Sequence, residues 1–170
     1  MKWLIIAGAV VVALIAVVVI IGALLPKRHV VSRKALVHQS PETIWALITE
    51  TSAWRPSIKS VEVLPDREEH RVWVEEDSHG QKITYERIES VAPRLMVTQI
   101  ADKSLPFGGT WRYEIEDAGG ATRVTITEDG EVYNPVFRFV SRFIMGHSAT
   151  IETYLKDLGN KFGEQVKIEA

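Results

Sequence analysis

The first hydrophobic feature of the chain is a continuous apolar run at its amino terminus. From Trp3 to Leu25 no residue is charged and nearly all are aliphatic. In a helix that rises 1.5 Å per residue, this run would extend over about 34 Å, enough to cross the hydrocarbon core of a bilayer. We interpret residues 1–26 as a transmembrane anchor. A cleaved signal peptide is the alternative. A signal peptide, however, has a shorter apolar region than this run, and a small-residue cleavage site follows that region.

The charges on either side of the run predict its orientation in the membrane. Lys2 is the only charged side chain that precedes it. The basic residues that soon follow it are Lys27, Arg28, Arg33 and Lys34. Basic residues are enriched on the cytoplasmic side of membrane spans. The sequence therefore predicts a single-pass membrane protein with residues 27–170 as a cytoplasmic domain.

After the apolar run, the spacing of apolar residues predicts a strand and then a helix. Residues 29–38 are rich in β-branched and aliphatic side chains, as strands are. Ser40 is a suitable helix N-cap and Pro41 a suitable first helical residue, and apolar side chains then recur at helical spacing. Pro56 ends this region, so we expect a short turn or a second short helix before it.

Six runs with alternating apolar and polar residues come next, separated by short polar connections. Alternation with period two predicts strands, and tight connections predict an antiparallel meander. The runs are IKSVEVL, RVWVEE, KITYERIES, RLMVTQI, TWRYEIED and TRVTITED.

The last segment of the chain predicts one long amphipathic helix. Its apolar residues recur at a period of 3.6 after Asn134 and Pro135, so the helix should cover the concave face of the sheet. Arg138 and Arg142 fall on the opposite, solvated face, where an anionic lipid headgroup is an alternative contact. The predicted apolar stripe consists of Phe137, Val140, Ile144, Ser148, Ile151, Leu155, Leu158 and Phe162.

In this order of elements, residues 30–165 resemble the START-like superfamily, also called SRPBCC, and within it the polyketide cyclase/dehydrase and lipid-transport group. The resemblance implies an α+β helix-grip fold, in which a curved antiparallel seven-stranded sheet wraps around a long C-terminal helix and two short helices follow strand 1. It also implies an apolar cavity for lipids, sterols, aromatic polyketides or quinones, without selecting a reaction. The stretches that carry it are SPETIWALITETSAWRPSI, LPFGGTWRYEIED, GGATRVTITEDGEV and NPVFRFVSRFIMGHSATIETYLKDLGNKFGE.

Aromatic and polar side chains expected to face this cavity are the candidate ligand contacts. Strand alternation turns Trp111 and Tyr113 inward, and aromatic rings suit the wall of an apolar site. Trp54 lies in the segment that the resemblance implies at the cavity mouth. For each aromatic residue, filling the core is the alternative role. The full set is Trp54, Trp73, Tyr85, Trp111, Tyr113, Glu128, His147, Ser148 and Ile151.

Three polar members of this set have competing interpretations. Alternation would carry Glu128 inward, but the sequence Glu-Asp-Gly would leave it in a solvated turn, which is the preferred interpretation. His147 could move protons near neutral pH. The sequence fixes no partner for it, so we interpret it as a hydrogen-bonded residue of the core or cavity wall. Ser148 lies within the apolar stripe and is an equally good polar contact for a ligand.

Composition and motifs argue against several other classes of protein. The chain has 22 acidic and 20 basic residues and a net charge of −2, which gives no basic surface for nucleic acid. It lacks cysteine, an HExxH pair and a GxSxG elbow, so we predict no metal site, no cofactor and no catalytic nucleophile. The paired glycines of LPFGGT lack a phosphate-loop frame and predict a flexible loop.

Three functions are compatible with these patterns. The preferred one is a membrane-anchored domain, residues 27–170, that binds or transfers a hydrophobic ligand such as a lipid, a quinone or an aromatic polyketide-like molecule. Its expected partners are that small molecule and the membrane. A polyketide cyclase/dehydrase-type enzyme is one alternative, and a protein-interaction module with a filled cavity is the other. An enclosed volume below roughly 300 Å³ would count against ligand binding.

Overall fold

The computed structural model describes all 170 residues, and its elements follow the predicted order. Helix α1 precedes a curved antiparallel sheet whose strands lie in the order β2-β3-β4-β5-β6-β7-β1-β8. The helices are α1 (Lys2–Leu24), α2 (Pro41–Glu50), α3 (Pro135–Val140) and α4 (Ala149–Lys161), with a π-helical turn over Ser141–Met145. The strands are β1 (Arg28–Val37), β2 (Ile58–Arg67), β3 (His70–Asp77), β4 (Lys82–Val91), β5 (Leu95–Ile100), β6 (Phe107–Asp117), β7 (Thr122–Val132) and β8 (Ile168–Glu169).

The seven predicted strands are present, and β8 adds an eighth. β8 has only two residues and pairs with Lys34 and Ala35 at the edge of β1. A strand of two residues has no alternating pattern, so the sequence analysis could not detect it. The α+β helix-grip architecture is therefore confirmed, with one short strand more than predicted.

Helix α2 begins as its sequence predicts and is the only helix between β1 and β2. The Ser40 hydroxyl accepts a hydrogen bond from the backbone N–H of Thr43 at 3.2 Å, as an N-cap does. Residues 51–57 then form turns, so the second short helix that the family resemblance implied is absent. Pro56 explains this difference, because it disfavours a helical conformation at Arg55.

The core lies between the concave face of the sheet and helix α4. Ile151, Leu155 and Leu158 of α4 are fully buried against β1, β6 and β7. Full burial of each such side chain stabilises the fold by about 1.5–3 kcal/mol. On β6 and β7 the inward residues alternate with solvated ones, as the sequence predicts.

The C-terminal helix is divided into three pieces instead of forming one long helix. α3 and the π-helical turn end at Gly146, where the backbone adopts φ +78°, and α4 begins only at Ala149. A left-handed glycine ends a helix because the chain leaves the helical path there. The first half of the predicted stripe therefore does not cover the sheet, and Phe137 and Ile144 are 49% and 70% exposed.

Helix α3 packs instead against the end of α1. Arg138 donates a hydrogen bond from Nη1 to the carbonyl oxygen of Leu25 at 2.8 Å, and a longer one to that of Ala23. These carbonyls lack partners within α1, so the guanidinium closes the helix end and complements its dipole. A Cβ atom on Gly22 would overlap the carbonyl oxygen of Pro135. The predicted solvated position of Arg138 is wrong, since it is 7% exposed.

The paired glycines lie in strand β6 and not in a flexible loop. Gly109 is paired with Gly130 of β7 and adopts φ +131°. A Cβ atom at Gly109 would overlap the carbonyl oxygen of Asp129, so a side chain is excluded by both space and backbone conformation.

We expect Gly109→Ala to lower the free energy of unfolding by about 3 kcal/mol, because it combines a strained backbone with a steric overlap. Gly119→Ala is the matched control, since Gly119 also has a positive φ but open space at its Cβ. The control should lose only about 1 kcal/mol. Urea denaturation of the full chain in detergent micelles measures the free energy of unfolding of both variants. Equal losses would show that the overlap between the new Cβ at position 109 and the Asp129 carbonyl oxygen is relieved at no cost.

Candidate ligand-binding site between the sheet and the C-terminal helix

A small cavity lies between the turn after α2, the inner face of strands β3 to β6, and helix α4. Its volume is about 50 Å³, well below the roughly 300 Å³ at the lower end of small-molecule sites. Residues that line it include Ile48, Ser52, Arg55, Arg71, Trp73, Glu75, Arg87, Met96, Thr98, Tyr113 and Tyr154.

A buried ion pair between Glu75 and Arg55 forms the polar centre of the site. Glu75 projects inward from β3 and accepts hydrogen bonds from Arg55 Nη2, from the Ser52 hydroxyl and, at 3.0 Å, from Trp73 Nε1. These three donors compensate the carboxylate for its loss of water. The Arg55 guanidinium also lies over the ring of Tyr154, with its Cζ 5.2 Å from the ring centroid, in a cation–π contact.

Neither Arg55 nor Glu75 was among the predicted site residues. A signal for Glu75 was present, because it lies two residues after Trp73 in an alternating run and must share its face. The sequence favoured no such role for Arg55, whose partner lies 20 residues further along the chain.

Aromatic rings fill most of the remaining interior. The ring of Tyr154, on α4, has its centroid 5.3 Å from Trp54, 5.6 Å from Tyr113 and 5.9 Å from Trp111. Edge-on and tilted arrangements at these separations are favourable for aromatic pairs. The candidate residues Trp54, Trp111 and Tyr113 are thus brought together around a residue that the sequence analysis did not single out as a ligand contact.

Trp73 and Tyr85 form a second aromatic pair beside Glu75. They face each other across β3 and β4, and their ring centroids are 5.7 Å apart. Burial raises the pKa of Tyr85, and likewise that of Tyr113 and Tyr154, well above the ordinary value of a tyrosine. All three hydroxyls therefore stay protonated and remain hydrogen-bond donors at any physiological pH.

Two buried N–H groups of this region have no hydrogen-bond partner. They are Nε1 of Trp54 and Nε of Arg55, neighbours in the turn after α2. Most buried polar atoms in proteins are paired, and each unpaired donor costs about 1–3 kcal/mol. The unpaired donors therefore mark a place where an acceptor atom would be stabilising.

Arg71 and Arg87 lie at the other side of the cavity, paired across β3 and β4. Arg71 donates to the carbonyl oxygens of Thr49 and Glu50 and so closes the end of α2. Arg87 makes no hydrogen bond or ion pair through its side chain, and burial, followed by the charge of Arg71, lowers its pKa. The guanidinium of Arg87 is thus available to an acceptor in the cavity.

Glu128 lies inside the fold, at the end of the sheet near α1. Its carboxylate accepts hydrogen bonds from Trp111 Nε1 and His29 Nε2, both at 2.9 Å. Strand β7 continues to Val132, so alternation sets the position of Glu128 and the solvated-turn interpretation is wrong. The adjacent Gly130 leaves room for this pair, because a Cβ there would come within 2.5 Å of the His29 ring.

His147 joins this cluster through its ring. It follows Gly146 in a turn, outside any helix, and stacks on His29 with centroids 4.0 Å apart and planes inclined by 23°. Burial lowers the pKa of His147, and the neighbouring His29 and Arg142 lower it further. The imidazole is therefore mostly neutral at pH 7.

The last two candidates occupy different environments. Ser148 donates a hydrogen bond from Oγ to Glu152 Oε1 at 2.7 Å and accepts one from Arg33 Nη2 at 3.1 Å. These contacts, with the Arg33–Glu152 ion pair, lower the pKa of Glu152 and hold the start of α4 to β1. Ile151 is fully buried in the core cluster.

Comparisons with known proteins agree with this architecture. The family described as polyketide cyclase/dehydrase and lipid transport matches residues 28–158. The chain belongs to this family. A comparison with curated proteins finds no match.

Solved structures show the same START-like fold at low sequence identity. A START superfamily protein from Mycobacterium smegmatis has a TM-score of 0.62 and 21% identity over 78% of this chain and 96% of its own. Norcoclaurine synthase from Thalictrum flavum has a TM-score of 0.59 and 11% identity over 78% of this chain and 85% of its own. The di-domain ARO/CYC StfQ from the steffimycin biosynthetic pathway has a TM-score of 0.60 and 9% identity over 79% of this chain and 50% of its own.

At these identities the solved structures establish the fold alone. Together with the family match, they support a ligand-binding or cyclase-like domain. The fold alone selects no reaction, so function has to be argued from the residues of the interior.

We expect Glu75→Gln to lower the free energy of unfolding by about 3 kcal/mol, because it leaves the buried guanidinium of Arg55 without a counter-charge. Glu76→Gln is the matched control, since Glu76 is the next residue of β3 and pairs with the exposed Lys59. Exposed ion pairs contribute little, so its effect should be much smaller. Urea denaturation of both variants in micelles measures the difference, and equal effects would mean that the loss of its counter-charge does not destabilise the buried guanidinium of Arg55.

We expect His147 to make the protein less stable in mild acid. Its pKa in the folded state is below the ordinary value of about 6.5, so below that pH the unfolded chain binds the proton first. The free energy of unfolding should therefore fall between pH 7 and pH 5. His147→Phe keeps a ring stacked on His29 but cannot take up a proton, so its loss over this range should be smaller. Identical pH profiles in urea denaturation would contradict the assignment.

Proposed function

We propose that the chain is a membrane-anchored binding or transfer domain for a hydrophobic ligand such as a lipid, a quinone or an aromatic polyketide-like molecule. Membership in a family that includes lipid transport supports a ligand of this class. The observation that carries the proposal is the unpartnered buried Nε of Arg55, a residue that lines the cavity together with Trp73, Tyr113 and Tyr154. Six of the 15 residues that line the cavity are hydrophobic, and small-molecule sites combine such apolar contacts with polar groups that fix the orientation of the ligand.

The chemistry of the interior favours a ligand with an apolar body and an acceptor at its polar end. Rings of Tyr154, Tyr113 and Trp73 line the cavity and offer apolar contact. Arg87 and the free donor of Arg55 offer hydrogen bonds to a carbonyl, hydroxyl or acid group. The protonated tyrosine hydroxyls add neutral donors. A wholly aliphatic ligand would leave the free donor of Arg55 unpaired.

Loading such a ligand requires the interior to expand. A cavity of about 50 Å³ holds only a few water molecules, each of which needs about 10–15 Å³. The turn of residues 51–57 carries Trp54 and Arg55 and contains no helix or strand, so it is held mainly by the bonds of Ser52 and Arg55 to Glu75. We infer that displacement of this turn, with rotation of the Trp54 ring away from Tyr154, opens the ligand site.

The contacts of α1 support a retained anchor over a cleaved signal sequence. α1 is long and apolar enough to cross a membrane, and its apolar window has no buried part. Removal of α1 would take away Leu25 and Ala23, whose carbonyl oxygens bind the buried guanidinium of Arg138. This contact is made only by a chain that keeps α1, which favours a retained anchor. The basic residues after α1 favour a cytoplasmic domain.

Two other functions each have one supporting observation. The small cavity volume favours a protein-interaction module whose interior is permanently filled. The Glu128–His29 pair, stacked on His147, favours a cyclase/dehydrase-type enzyme, because a carboxylate-bound imidazole can move protons.

We expect the full chain, extracted in detergent from its host membrane, to carry a bound small molecule in native mass spectrometry. Thr98 is buried and lines the cavity. The larger ring of Thr98→Phe should fill the space that the ligand needs and so abolish this extra mass. Thr125→Phe is the matched control, since Thr125 lies on the outer face of β7 between the inward residues Val124 and Ile126.

The control also accounts for lipid that adheres to α1, because both variants keep that helix. Circular dichroism has to show that Thr98→Phe is folded. If all three proteins have the mass of the polypeptide alone, the ligand-binding proposal fails and the filled-module alternative is favoured. Chemical conversion of the recovered molecule by fresh protein would favour the enzyme.

A further inference from the structure

We propose that α3 and the π-helical turn form a second membrane contact, in which an apolar face enters the lipid interface beside α1. We call this the interfacial face, and its members are Val136, Phe137, Phe143, Ile144 and Met145. The inference rests on the proposed anchoring of the chain by α1, and it adds a surface to which the sequence analysis gave a different role.

The exposure of these residues is unusual for a water-facing surface. Phe143, Ile144 and Met145 are consecutive, and they are 59%, 70% and 63% exposed. Other large apolar residues exposed on the domain are separated along the chain, as Val30, Leu36 and Val63 are. Single exposed apolar residues are ordinary in proteins, whereas a contiguous exposed patch marks an interaction site.

The position of the interfacial face identifies lipid as its partner. α3 is fixed to the last turn of α1 by the Arg138–Leu25 hydrogen bond and by the close approach of Gly22 to Pro135. The apolar run of α1 ends at Leu25 and is followed by Pro26 and the basic Lys27. The C-terminal end of α1 thus lies at the boundary between acyl chains and headgroups, and α3 must lie at the same depth.

The local conformation gives this segment the form of a short membrane-facing loop. The π-helical turn widens the helix at residues 141–145, and the positive φ of Gly146 then sends the chain back towards the sheet. The tip between them carries Phe143 and Ile144, with the Phe143 ring 4.9 Å from that of Phe139. Interfacial segments of this kind bury their apolar side chains about 5–10 Å into the boundary region.

Charged neighbours agree with this orientation. Arg142 is exposed beside the apolar tip, and Lys27 is exposed where the chain leaves α1. Basic side chains at this depth are attracted to anionic lipid headgroups. A bilayer therefore satisfies both the apolar and the charged parts of the surface.

Fluorescence of single labelled cysteines tests the contact directly, because the natural chain contains no cysteine. The full chain is labelled with an environment-sensitive nitrobenzoxadiazole dye at Ile144→Cys and reconstituted into phosphatidylcholine/phosphatidylglycerol vesicles. Ala118→Cys is the control for an exposed site, since Ala118 lies in the β6–β7 turn at the opposite end of the sheet. Leu14→Cys is the control for the centre of α1. Ile144 and Ala118 are exposed, so neither change disturbs the core.

We expect the dye at position 144 to emit at shorter wavelength than at position 118 and to be quenched by lipids brominated near the headgroup. The dye at position 14 should be quenched most by lipids brominated deep in the acyl chain. Quenching does not depend on which way the chain inserts, because both leaflets carry the brominated lipid.

Three results would overturn the inference, and they are distinguishable. If position 14 is quenched but position 144 behaves like position 118, the anchor stands and the interfacial face is in water. If position 144 is blue-shifted but not quenched by brominated lipid, a protein surface or a second copy of the chain covers the face. If position 14 is not quenched, α1 does not span the bilayer and the anchoring proposal itself fails.

Discussion

The ring of Tyr154 is the contact through which the separate parts of the domain are held together. It lies on α4, packs against Tyr113 and Trp111 on the sheet, and contacts the ring of Trp54 and the guanidinium of Arg55 from the turn after α2. Because this one ring contacts α4, the sheet and the turn at once, the contact that stabilises the fold also fills the interior where we propose that a ligand binds. Under that proposal, the packing that stabilises the empty state and the binding of a ligand would compete for one volume.

Much of the fold could be predicted because its signals are local. The Ser40 cap, the apolar run of α1 and the alternation of β6 and β7 each depend on residues close together in sequence. The interruption of the last helix was missed because Gly146 lies within a continuous apolar period, and one glycine does not by itself end a helix. The π-helical turn has no sequence signature that the periodicity would detect.

The candidate site was predicted only in part, because its polar centre depends on long-range pairing. Alternation correctly turned Trp111 and Tyr113 inward, and the same rule applied to Glu75 would have found the buried carboxylate. Whether a buried charge finds its counter-charge depends on the path of another segment, and no local pattern encodes that Arg55 would reach it. The volume of the cavity likewise depends on how the rings pack in the assembled interior, because in a close-packed core even one methyl group changes the space that remains.

The hydrogen bond from Arg138 to the end of α1 has a mechanical consequence. A transmembrane helix that is longer than the local hydrocarbon thickness tilts to match it. If a flexible linker joined the anchor to the domain, the helix could tilt without turning the domain. With α1 as the proposed anchor, the Arg138 guanidinium and the tight fit of Gly22 on Pro135 would make the joint stiff, so that a change in bilayer thickness would turn the whole domain relative to the membrane plane. The composition of the bilayer would then set the angle at which the domain faces the lipid.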